Sequence, residues 1–137
     1  MIYTLTHDEV PGSVNAKKGG VGAHHMQTHR EKMRWEGTYG MMLMVAKVPR
    51  NLPLVRVKIE LQFTTPNNRR DVENFRHPIT KPFADALVKL GYIPDDTEAY
   101  FRVEDLRISP DKLDAPPLVK SRMVIQIYTE EGEWPQL

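Results

Sequence analysis

The clearest pattern in the chain lies at residues 55–63. Val55, Val57, Ile59, Leu61 and Phe63 alternate with Arg56, Lys58, Glu60 and Gln62. A period of two places one set on each face of a strand, so a half-buried strand is predicted here. Tyr3 and Leu5 alternate with Thr4 and Thr6, which predicts a short first strand. Two further strands are expected around 99–108 and 118–129, with Met123, Ile125 and Ile127 as the inward set of the last. Between them SPDKLDAPP reads as a polar hairpin loop. From about Met26 to Ala46 the period changes to that of a helix. Trp35, Tyr39, Met42 and Val45 recur at spacings of four, three and three, which predicts one buried face. Gly37 and Gly40 each cost that helix roughly 1 kcal/mol. A second helix is expected from Ile79 or Thr80 to Leu90, closed by Gly91, with Pro78 and Pro82 confined to its start.

The resulting order is strand, helix, strand, helix, strand, strand. It predicts an α+β fold with a mixed sheet and helices packed on it. A chain of 137 residues suits one domain, expected over residues 1–130, followed by an acidic, mobile tail over 131–137. PGSVNAKKGGVGAHH, between the first strand and the first helix, reads as a loop or arm. There is no cysteine, which excludes disulfides, thiolate zinc sites and a cysteine nucleophile. The first residues lack a signal-peptide pattern, and the longest apolar run, Met41 to Ala46, is too short to span a bilayer. A soluble, cytoplasmic protein without a membrane partner is expected.

Net charge is only +1, but it is unevenly spread. Residues 1–81 carry 13 Lys+Arg against 7 Asp+Glu, and residues 82–137 carry 6 against 11. That asymmetry suggests a basic face for a polyanion beside an acidic region.

The candidate chemistry lies in RRDVENFRHPITKPFADALVKLGYIPDD, from Arg69 to Asp96. If Asp71 and Glu73 lie on an extended segment, as Pro78 suggests, their side chains point the same way. A turn after a helix of roughly 16 Å brings Asp95 and Asp96 back toward them. Converging carboxylates call for a hard cation, Mg²⁺ or Mn²⁺. Arg69, Arg70 and Arg76 flank the acids and suit phosphate contact, as do Lys17, Lys18 and Arg30 nearer the N-terminus. Each feature also has a plainer reading: Asp71 as a cap, Asp95-Asp96 as a turn, Lys81 as a solvated charge. His25 and His29, four apart with His24 beside them, form a weaker metal candidate with no evident third ligand.

The same stretch resembles the RusA family of Holliday-junction resolvases. The resemblance rests on Arg69-Arg70-Asp71-Val72-Glu73-Asn74, then Lys81, Asp85-Ala86-Leu87, Gly91-Tyr92 and Asp95-Asp96. Pro11-Gly12-Ser13-Val14-Asn15 is similar to the family's segment after the first strand. The resemblance implies a homodimeric, Mg²⁺-dependent endonuclease that resolves four-way DNA junctions by paired symmetric nicks, with no organic cofactor. It implies Asp71, Glu73 and Asp96 as metal-binding catalytic carboxylates, with Asp95 as a supporting acid and metal ligand. Lys81 becomes the catalytic lysine, and Asn74 and Asn15 supporting residues. Two features depart from the family. Glu73 stands where it has aspartate, and the stretch from Asn74 to Lys81 is longer and holds His77-Pro78. The alternative is a non-catalytic DNA-binding protein on the same fold.

Overall fold

The alternation at residues 55–63 produces the sheet's central strand, and the remaining elements are placed by what they pair with or cover. A computed structural model describes residues 1–12, 21–65 and 71–136, with side chains in the first helix from His29 onward. The elements are β1 (Ile2–His7), α1 (Val21–Val45), β2 (Val55–Phe63), α2 (Glu73–Lys89), β3 (Phe101–Lys112) and β4 (Ser121–Tyr128). The four strands form one mixed sheet in the order β1-β4-β2-β3. β4 is antiparallel to β1 and β2, and β3 runs parallel to β2. This is a small α+β domain with a mixed four-stranded sheet and two helices.

Val55, Val57, Ile59 and Leu61 are buried, as are Met123, Ile125 and Ile127 beside them. They share one apolar cluster with Trp35, Tyr39 and Leu43 of α1 and with Ile79, Phe83 and Leu87 of α2. Ring contacts run through it from Trp35 to Tyr39 to Phe83. The buried Tyr39 hydroxyl donates to the Ile79 carbonyl at 3.2 Å, and burial pushes its pKa up.

Three expectations need correction. α1 begins at Val21 instead of Met26, with no proline in its span to stop it. Its buried face holds Trp35, Tyr39 and Met42 as expected, but Leu43 and not Val45 completes it. Val45 is 77% exposed. At about 100° per residue it falls well outside the stripe. The helix ends just after it, where Lys47 adopts a left-handed φ of 58° and Val48 N–H donates to the Leu43 carbonyl. Gly40 lies close against α2: a Cβ there would stand 2.9 Å from Leu90 Cδ1, which would have to shift.

The second correction is the start of α2, at Glu73 instead of Ile79 or Thr80. Pro78 and Pro82 lie inside the helix. Each removes one N–H bond to the carbonyl four residues before. Burial of Phe75, Ile79 and Phe83 at helical spacing offsets that loss. Third, β3 and β4 are not a hairpin. β2 lies between them, and residues 109–112 extend β3.

The last residues of the chain meet β2. Arg56 donates to the carbonyls of Glu130 and Gly132 at 2.7 and 2.8 Å, and its guanidinium lies over the Trp134 ring. Gly91 closes α2 as expected. With φ of 79° it allows Tyr92 N–H to reach the Leu87 carbonyl at 2.8 Å and Gly91 N–H that of Val88 at 3.2 Å. Among the described residues, no helix is long and apolar enough to cross a membrane.

Candidate functional site

The motif residues divide between two places on α2. At its start, Asp71 acts as the cap. Its Oδ1 accepts the Glu73 N–H at 3.0 Å, and its carbonyl accepts the Asn74 N–H at 3.1 Å. Those are two of the donors that a helix N-terminus leaves unpaired. Glu73 is the first helical residue, so it does not lie with Asp71 on an extended segment, as the sequence had suggested. Its two carboxylate oxygens accept from Arg76, one turn on, at 2.8 and 3.1 Å. This pairing holds the Glu73 carboxyl below its usual range.

The second place is built from the middle of α2 and the connection to β3. Tyr92 and Ile93 are buried, and Leu52 N–H donates to the Tyr92 carbonyl at 2.7 Å. Arg50 adds a bond to the Leu90 carbonyl at 2.8 Å and lies over the Tyr92 ring. The connection is thereby fastened, and Pro94 leads directly from it to Asp95 and Asp96. Asp95 Oδ1 accepts the Asp96 N–H at 2.8 Å, a bond local to the pair. Lys81 Nζ lies 3.2 Å from Asp85 Oδ1 and 3.8 Å from Asp96 Oδ2.

Between the two places, eight residues of helix separate Glu73 from Lys81. That is about 12 Å along the axis and roughly 80° around it. The structure brings Lys81 to Asp96, and Glu73 to Arg76. It does not bring Glu73 to Lys81. Among the described residues no group of three or more His, Asp or Glu side chains is arranged to hold a metal ion. Both Glu73 oxygens accept from Arg76, and one Asp71 oxygen accepts from the Glu73 N–H.

Of the basic candidates, Arg30 is exposed on α1, and Arg76 is engaged by Glu73. Asn15, Lys17, Lys18, Arg69 and Arg70 lie outside the described residues, as do the side chains of His24 and His25. Sequence reasoning missed what surrounds Lys81. Lys32 of α1 reaches Asp85 Oδ2 at 2.8 Å, and the buried Glu36 accepts from Lys89 Nζ at 3.0 and 3.1 Å. The spacing of four in Lys81–Asp85 and Lys32–Glu36 was a readable signal. The link between helices was not, because it joins residues 53 apart in sequence.

Burial raises the Asp85 carboxyl, but the hydrogen bonds and charges of Lys32 and Lys81 outweigh it and leave the pKa below 3.8. Lys32 is raised above 10.5, chiefly by its hydrogen bond to Asp85. The arrangement can offer one half-exposed ammonium, Lys81, to an anion, with the Asp85 and Asp96 carboxylates beside it. Neither a scan against protein-family models nor a search of curated proteins found a match to the chain.

Proposed function

We propose that the protein is a divalent-cation-dependent endonuclease of branched DNA, a four-way junction above all, and that it works as a homodimer. The observation that carries this reading is Lys81, set between Asp85 and Asp96. A lysine on this helix beside the paired aspartates is the juxtaposition that the RusA resemblance implies. The order of elements agrees with it as well. Under this reading Lys81 meets a phosphate oxygen, Asp96 and Asp95 face the same phosphate's surroundings, and Asp71 and Glu73 complete the acid set. Mg²⁺ or Mn²⁺ is the cation, no organic cofactor is needed, and the cysteine-free chain works in the cytoplasm. Two nicks related by symmetry require two sites, which a two-fold dimer supplies. The edge strand β1 and the exposed Met33, Met41 and Met44 of α1 are the candidate contacts.

One observation favours a second reading, a DNA-binding protein that does not cut. Glu73 is already satisfied by Arg76 and stands more than two helix turns from Lys81. One experiment separates the two. The protein is incubated with a mobile four-way junction and Mg²⁺ or Mn²⁺, and nicks are mapped on all four strands. Paired symmetric nicks, lost in Asp71→Asn and Asp96→Asn, support the nuclease. Salt-sensitive binding without any nick under either metal establishes the binding protein in its place.

A further inference from the structure

Lysine is a poor candidate for a fixed cation. Its ammonium sits on four carbons, and holding it still costs rotamer entropy. A single exposed carboxylate four residues on returns less than that cost. Lys81 is 44% exposed, so an isolated pair with Asp85 would leave its position largely open. Asp85, however, is not an isolated surface carboxylate. Its side chain is only 16% exposed, in the crevice between the two helices. Lys32 occupies one of its oxygens from α1 at 2.8 Å, which leaves the other for Lys81 at 3.2 Å. Lys32 is itself 3.9 Å from the buried Glu36, which Lys89 holds from α2. The alternating charges therefore run from Lys89 through the buried Glu36, Lys32 and Asp85 to Lys81.

We infer that Asp85 is a positioning residue: anchored by Lys32 of the neighbouring helix, it fixes the Lys81 ammonium toward Asp96. The inference rests on the nuclease reading for its purpose, but not for its test. The bland rival is that Asp85 merely fastens α1 to α2. Both roles lower the melting temperature when Asp85 is lost, so melting does not separate them.

Local reactivity does. Wild type, Asp85→Asn, Asp85→Glu and Lys32→Ala are acetylated in the folded state under limiting reagent. The rate at Lys81 is read by mass spectrometry against the exposed Lys47 in the same molecule. Asp85→Asn is expected to raise the Lys81 to Lys47 ratio several-fold, Lys32→Ala to raise it less, and Asp85→Glu to return part of the protection. Should Asp85→Asn not remain folded, Lys32→Ala carries the test, since it leaves Asp85 in place but unanchored. An unchanged ratio in every folded variant overturns the inference.

The same variants are then assayed on a four-way junction with Mg²⁺. Positioning predicts that kcat falls about tenfold in Asp85→Asn while junction affinity holds, and that Asp85→Glu recovers part of it. Equal loss of affinity and turnover marks a structural role and overturns the inference. A wild-type protein that never cuts refutes the nuclease reading alone. The acetylation ratio then still decides where Asp85 holds Lys81.

Discussion

The two halves of α2 handle charge differently. At its start, Glu73 and Arg76 form a single-turn pair whose side chains are 61% and 43% exposed. Farther along, Asp85 sits at 16% exposure between two lysines from different helices. Both carboxyls are held below their usual pKa range. The physical weight of the two is nevertheless unlike. Water and salt screen the first pair, which is worth little to stability. The second is shielded, and its partners come from separate elements, so it joins helix packing to the placement of Lys81. A low pKa alone does not distinguish a decorated surface from a working scaffold; burial and the origin of the partners do.

The comparison can be tested at several scales. The largest effect is expected in catalysis. Asp96→Asn and Lys81→Ala each reduce junction cleavage by about 10²–10³-fold, on the scale of losing one stabilising group at a charged transition state. A loss under Asp71→Asn, but not under Asp96→Asn, would move the chemistry to the start of α2. Stability comes next. Asp85→Asn costs about 2 kcal/mol, between the values for exposed and buried pairs, read as a drop in melting temperature. Arg76→Ala changes stability by no more than about 0.5 kcal/mol.

The pH dependence is subtler. The Asp85 carboxyl has a folded pKa below its ordinary 3.8, so its stabilisation is complete above that value and fades as pH falls through the depressed one. The melting-temperature gap between wild type and Asp85→Asn should stay level from pH 7 to pH 5 and narrow below 3.8. A gap that stays constant down to pH 2.5 would show that the charge of Asp85 is not what matters.

Much of the fold was legible because its signals are local. Alternation marked β2 and the inward set of β4, helical spacing marked Trp35, Tyr39 and Met42, and Gly91 marked the close of α2. The start of α2 was not legible because Pro78 signals a later start, while Phe75, Ile79 and Phe83 pack at helical spacing from Glu73 onward. Packing against the core overrode the local proline cost. In the candidate site, the motif named Lys81 and Asp96, which lie 3.8 Å apart, whereas Glu73 was expected on an extended segment and instead opens the helix beside Arg76.

The amino-acid pattern by itself determined which residues face inward on β2 and on most of α1, and the α+β class, because periodicity is a property of neighbours along the chain. Only the tertiary structure decided that β4 lies between β1 and β2, that α2 starts at Glu73, and that Lys32 holds Asp85. Those outcomes depend on which distant surfaces bury one another, and a rule of spacing within one element carries no information about that.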